Sequence, residues 1–230
     1  MTETLSEQLA DYRAGWRARV PADKQTLMDQ HVAHLSATGI DRAAKQVGDR
    51  APAIRLRDQH GATFDVGTLL AKGPVVVTFY RGGWCPFCNL ELKAYQAVLP
   101  RIAAAGASLV AISPEKPDDT VSTAEKNALS FPVLSDVGHA TGKAFGVVYA
   151  FTDDVRQVYD GFRWRLDAHP PARWKLGTTP GERTVARAGE RGVKGATRLE
   201  PRLPTDLPTN LYVIPDVCTM PVSESLLCGE

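Results

Sequence analysis

The sequence predicts an α/β protein, and three observations carry that prediction. Val75-Val76-Val77-Thr78-Phe79-Tyr80 and Ser108-Leu109-Val110-Ala111-Ile112 are short, continuously apolar runs of the kind found in strands buried on both faces. Between them Leu92, Tyr95, Leu99 and Ile102 recur at helical spacing and stop near Gly106. Strand, helix and strand joined by short loops place both strands in one sheet, with helices on both of its faces.

The remaining elements follow in order. Leu5, Leu9, Tyr12 and Trp16 form one apolar stripe of an opening helix. Pro21 interrupts it, and a second helical stretch carries Met28, Val32 and Leu35. Gly48 and Ala51-Pro52 close this N-terminal helical extension, residues 1–48, which is expected to pack on the main domain. His31 and His34 are spaced to share a helix face as metal ligands, but no Cys, Asp or Glu partners accompany them, so both are expected in solvent. The main domain, residues 49–162, begins with residues 53–57 and 63–66 flanking the turn-like Gln59-His60-Gly61, a hairpin. After the strand ending at Ser113-Pro114, a helix is expected over residues 120–128. Phe131-Pro132-Val133-Leu134 reads as a short edge element, and residues 138–145 as a further helix with His139 on its surface. Beyond Phe162 the pattern fails: arginines and prolines crowd residues 163–210, and apolar residues lose their period. Such a segment buries too little surface to offset its ordering entropy. The tail, residues 163–230, therefore reads as irregular, disordered or loosely laid on the domain. Only Asn210-Leu211-Tyr212-Val213-Ile214 regains a strand-like run. A shifted reading frame would produce the same abrupt loss of pattern.

Composition narrows the function classes. The 230 residues suffice for one well-buried domain with extensions. Net charge is +1, so no strong field points to nucleic acid or an anionic membrane. The longest apolar stretch, residues 75–80, is too short to span a bilayer. The opening MTETLSEQLADYRAGW carries early acids and no apolar run, unlike a secretory signal, so a cytoplasmic location is expected. In that reducing setting a Cys-x-x-Cys serves catalysis or metal binding rather than stapling.

The chemistry is concentrated in the segment from Phe79 to Leu92, which contains Cys85-Pro86-Phe87-Cys88. A buried strand ends, a Gly82-Gly83 turn follows and a helix begins, which sets the cysteines at a helix N-terminus. Unpaired N–H groups and the positive end of the helix dipole favour a thiolate there. Pro86 suits an early helical position. Arg81 adds a nearby cation, and Trp84 either packs against the strand end or shields the sulfurs from water. The spacing lets one thiol attack and the other resolve. A zinc site needs a second ligand pair, and none is well spaced: Cys218 and Cys228 fall in the tail, while His139 and His169 stand alone. No metal is therefore expected. Glu91 reads as a solvated helix position, and Cys218 and Cys228 as ordinary thiols of the tail.

At these residues the chain resembles the peroxiredoxin-like branch of the alkyl hydroperoxide reductase / thiol-specific antioxidant (AhpC/TSA) family. FYRGGWCPFCNLEL looks like that branch's signature. Leu109-Val110-Ala111-Ile112-Ser113-Pro114, Ala124-Glu125-Lys126-Asn127 and Ser130-Phe131-Pro132-Val133-Leu134-Ser135-Asp136 fit the family in the same order. Gly48-Asp49-Arg50-Ala51-Pro52 resembles its lead-in to the first strands. The resemblance spans residues 5 to 160. It implies a thioredoxin-like fold, a central mixed sheet flanked by helices, and no cofactor. It implies reduction of hydrogen peroxide or organic hydroperoxides through a cysteine sulfenic acid, with recycling by thioredoxin or a similar thiol donor. It also allows a homodimer through a sheet edge or helix face.

Two registers remain open within that resemblance. In the peroxiredoxin register Cys88 is peroxidatic, Cys85 takes the place of the family's Thr, and Arg81 that of its Pro. In the thioredoxin or glutaredoxin register Cys85 is the nucleophile and Cys88 its buried partner, as in a protein-disulfide reductase. A resolving cysteine found five residues on in some relatives is Lys93 here, so Cys85 or an external thiol must resolve Cys88. The family draws a site arginine from its C-terminal part, which residues 163–210 do not resemble. An inactive remnant of the fold is the third reading.

Overall fold

The computed structural model describes residues 3–46 and 49–161, together with three short strands farther on. The expectations of disorder or a shifted frame in the tail, and those for His169, Cys218 and Cys228, lie outside the described residues. So do the two boundary positions Gly48 and Phe162.

Helix α1 (Leu5–Arg17) starts where Thr4 and Glu7 cap each other, the Thr4 N–H donating to Glu7 Oε2 at 2.6 Å and the Glu7 N–H to Thr4 Oγ1 at 3.3 Å. It is followed by α2 (Ala22–Ala37) and the single turn α3 (Ile40–Ala43). Strands β1 (Arg55–Asp58) and β2 (Thr63–Asp65) make the expected hairpin, and α4 (Gly67–Leu70) follows. Then come β3 (Val75–Phe79), α5 (Pro86–Ala104), β4 (Ser108–Ser113), α6 (Pro117–Lys126), β5 (Val133–Ser135), α7 (Ala140–Phe145) and α8 (Asp153–Gly161). The late strands are β6 (Thr184–Val185), β7 (Lys194–Gly195) and β8 (Leu211–Ile214).

Among the described residues the main sheet has the order β2-β1-β5-β4-β3-β8. It is mixed: β5, β4, β3 and β8 run parallel, whereas β1 is antiparallel to both β5 and β2. Strands β6 and β7 form a separate antiparallel pair. The strand-like run near residue 211 is thus seated beside β3, with Val75 opposite Leu211 and Val77 opposite Val213.

Strand alternation divides the core in two. Val75, Val77 and Phe79 face one side of the sheet, where Phe145 of α7 and Val66 pack on them. Val76 and Tyr80 face the other side, with Leu92 and Ile102 of α5 and Ala124 of α6. Helix α5 leaves the C-terminal end of β3, so its N-terminus opens on this second side, beside the end of β4.

Four expectations need correction. The run at residues 131–134 is not an edge: β5 sits between β1 and β4, because Ser135 pairs with both Arg57 and Ser113. His31 is buried rather than solvated, its ring 5.7 Å from that of Phe151 and 6.1 Å from that of Tyr149. The buried face of α2 runs through His31 and Leu35, while His34 is exposed. Helix α7 has His139 at its N-cap position with φ +65°, the Thr141 and Gly142 N–H groups donate to the Asp136 carboxylate, and His139 is buried rather than on the surface. Burial pushes both His31 and His139 below the ordinary histidine value. Glu91, on α5, is likewise buried, and Tyr95 Oη donates to its Oε1 at 3.2 Å.

Candidate active site

The site begins where β3 ends. A Cβ at Gly82, which adopts φ +154°, would collide with Trp84 Nε1 and crowd Glu115 Oε1, and one at Gly83 would collide with Thr123 Oγ1. The Gly-Gly pair therefore lets the loop pass close under α6 and the end of β4. Pro86 then starts α5 at a position that needs no N–H partner, with Cys85 as the N-cap. The loop is tied down from its own helix. Asn89 Nδ2 donates to the Gly83 and Cys85 carbonyls at 2.9 and 2.8 Å, and Asn127 Nδ2 donates to Asn89 Oδ1 at 2.7 Å.

Cys85 and Cys88 are both thiols and both fully buried, at 0% exposure. They are not equivalent. Cys85 Sγ accepts from the Cys88 N–H at 3.3 Å, in the position of a helix cap. It also accepts from Arg81 Nη2 at 3.0 Å. A guanidinium and a helix N-terminus converging on one sulfur favour its anionic form. Arg81 is itself buried and held on its other arm: Nη1 donates to Tyr159 Oη at 3.0 Å. Its guanidinium carbon lies 5.5 Å from the Trp84 ring centre, and Trp84 meets Tyr159 edge-on at 5.8 Å. Trp84 thus packs against the site's cation as well as against the surrounding core.

A carboxyl completes the cluster. Both oxygens of Glu115 accept from the Gly83 N–H at 3.0 Å, and Ser113 Oγ donates to Oε2 at 3.3 Å. Burial pushes this carboxyl up to about 7, against the Gly83 N–H that pulls it down; the charges of Asp119 and Cys85 add to the rise. Burial, followed by the charge of Glu115, raises the Tyr80 phenol well above its ordinary value.

The structure brings together all four residues that the sequence singled out, Arg81, Trp84, Cys85 and Cys88. Sequence reasoning missed Glu115, Tyr159 and the Asn89–Asn127 pair. Glu115 had one signal: it follows Ser113-Pro114 at the C-terminal end of a parallel strand, where α/β sheets place their sites. Among the described residues no three His, Cys, Asp or Glu side chains converge as a metal site requires. The cluster can form one nucleophilic sulfur, a second thiol to close a disulfide, and a carboxyl that exchanges its proton near neutrality.

Comparison with known proteins places this architecture. The AhpC/TSA family model matches residues 47–159. The chain is 30% identical over 116 residues to "Peroxiredoxin Bcp" of Escherichia coli K12, covering 50% of this chain and 73% of that protein. It is 35% identical over 100 residues to "Peroxiredoxin Q, chloroplastic" of Populus jackii, covering 44% of this chain and 46% of the poplar protein. The crystal structure of peroxidoxin BcpB from Mycobacterium tuberculosis superposes with a TM-score of 0.50 at 25% identity, over 66% of this chain and 84% of that one. The chain spans about half the length of the plant peroxiredoxins Q that it matches.

Proposed function

The chain belongs to the AhpC/TSA family, and from that premise we propose that it is a thiol peroxidase reducing hydrogen peroxide or organic hydroperoxides with Cys85 and Cys88. The observation that carries the reading is the 3.0 Å hydrogen bond from Arg81 to Cys85 Sγ at the N-terminus of α5. It gives the site a reason to hold a thiolate, which is the form that attacks an O–O bond.

The Cys85 thiolate attacks one peroxide oxygen, the O–O bond breaks, and the departing oxygen takes a proton to leave as water or an alcohol. Cys85 becomes a sulfenic acid. The Cys88 thiol then attacks Cys85 Sγ, releasing water and closing a disulfide. A dithiol protein of the thioredoxin kind reduces that disulfide and is itself oxidised. What supports Cys85 as the attacking sulfur is that Arg81 Nη2 and the Cys88 N–H at the N-terminus of α5 both donate to it. A reducing cytoplasm is the proposed setting, since the pair must be re-reduced at every turnover.

The test is peroxide-dependent NADPH consumption coupled to thioredoxin and thioredoxin reductase, with intact protein, Cys85→Ser and Cys88→Ser. Intact protein is expected to turn over. Cys85→Ser is expected to lose even a single turnover, and Cys88→Ser to reduce one equivalent of peroxide and then stall. Loss of the single turnover in Cys88→Ser alone would reverse the order of the two sulfurs. Folded protein that consumes no peroxide yet reduces insulin disulfides would replace the peroxidase with a protein-disulfide reductase.

A further inference from the structure

We infer that Tyr159 is a positioning residue of the thiol site, holding Arg81 so that its charge stays on Cys85; the inference rests on the proposed reading of Cys85 as the reactive thiolate. An arginine side chain has many rotamers, and fixing one costs entropy. Its planar fork changes the arithmetic, because holding one arm orients the other. Here one arm reaches Cys85 Sγ and the other Tyr159 Oη, each at 3.0 Å, and all three side chains are buried.

Tyr159 can serve as an anchor because its own ring is gripped. Trp84 meets it edge-on at 5.8 Å, and Phe151 lies 5.0 Å away. Phe151 packs in turn against His31 of α2, and Leu35 of the same helix joins the cluster. The hydroxyl is therefore placed by α8, by the segment before it and by the N-terminal extension. None of these belongs to the segment that carries the cysteines. The charge on the sulfur is set in part by residues 78 positions away in sequence.

The charged and titratable groups facing Cys85 include Arg81 from the loop, Cys88 within α5, and Glu115 from beyond β4. Tyr159→Phe leaves all of these in place and removes one oxygen, with the ring contacts kept. Its expected effect is on the arginine: with one arm released, the guanidinium samples other rotamers, and the Cys85 thiolate requires a higher pH.

The experiment follows the Cys85 titration by NMR of full-length protein carrying isotope-labelled cysteine, in wild type, Tyr159→Phe, Arg81→Met and the double variant. Tyr159→Phe should raise the Cys85 midpoint by about 0.5–1 pH unit and slow single-turnover peroxide reduction below that midpoint about three- to tenfold. Arg81→Met should raise the midpoint at least as far, and the double variant should match Arg81→Met alone. A drop in Tm for Tyr159→Phe with an unmoved midpoint would overturn the inference and leave Tyr159 a packing residue. A Tyr159→Phe shift that persists in full in the Arg81→Met background would also overturn it, since Tyr159 would then act by another route. A Cys85 that forms no thiolate in active wild-type protein would overturn the assignment of the nucleophile itself, a result distinct from either of these.

Discussion

The two faces of the sheet are built from the same strands and serve opposite ends. On one, Val75, Val77, Phe79, Val110, Ile112 and Phe145 pack into an apolar core. On the other, Val76, Leu109, Ala111 and Val133 share their layer with Cys85 and Cys88, and Arg81, Glu115 and Asn89 are buried close by. Alternation along β3 and β4 sends neighbouring residues to these two environments. Burying a charge or an amide withdraws stability unless every polar atom finds a partner. The dry face is where the domain recovers that stability, and it can do so because no chemistry is asked of it. A reactive site on one face of a small sheet thus depends on an inert core on the other.

The strongest way to break this division is at Phe145, which is fully buried and lies 5.3 Å from the Phe79 ring. Phe145→Ala removes most of an aromatic side chain and leaves a cavity, so it should lower the free energy of unfolding by about 3–5 kcal/mol in denaturant titration. Where the variant remains folded, the Cys85 titration should stay at its wild-type midpoint. A moved midpoint would mean that the two faces are coupled through β3 and that the division is wrong.

The same contrast explains what was legible in the sequence. Strands β3 and β4 are continuous apolar runs because both faces of the sheet are covered, and helices α1, α2 and α5 repeat apolar residues at their own period. Strand β5 was readable as extended but not as interior, because its neighbours are fixed by pairing to Arg57, a residue far away in the chain. Helix α8 was missed because Val155, Val158 and Tyr159 are set among Asp153, Asp154, Arg156 and Asp160, which dilute its pattern. Arg81, Trp84, Cys85 and Cys88 could be proposed together from sequence because they lie within one eight-residue stretch. Glu115 and Tyr159 were not, since only folding brings them 32 and 78 positions across to that stretch. His31, His139 and Glu91 were misjudged for one reason: apolar periodicity says nothing about which polar side chains a fold will enclose.

Glu115 tests the site-bearing face directly. Its folded value of about 7 lies above the ordinary 4.5, so the folded protein holds this proton more tightly than the unfolded chain does. Stability contributed by the protonated form is then lost as pH rises from about 4.5 to 7 and stays lost above that window. Glu115→Gln removes the charge and should gain stability on wild type between pH 5 and pH 8, by up to about 3 kcal/mol. The Cys85 midpoint should fall in the same variant, because a negative neighbour has gone. Unfolding curves at the two pH values decide the first point. A variant-to-wild-type difference that is equal at both would show that Glu115 is not a buried, protonatable group.

The smallest expected effect separates holding the fold from holding the loop. Asn127 Nδ2 donates to Asn89 Oδ1 at 2.7 Å and to the Thr123 carbonyl at 2.9 Å, and Asn89 in turn fixes the carbonyls of Gly83 and Cys85. Asn127→Ala strands Asn89 Oδ1 in a dry site, at a cost of about 1–2 kcal/mol. That loss is well below the one expected at Phe145, yet it falls on the loop that carries the sulfurs. Hydrogen exchange should therefore quicken at the Cys85 and Cys88 amides while the amides of β3 keep their protection. Equal quickening in β3 would make the asparagine pair part of the global core. Unchanged exchange at both cysteines would mean that the Gly-Gly turn and the N-cap hold the loop unaided, and that the site-bearing face needs less support than its buried polar atoms suggest.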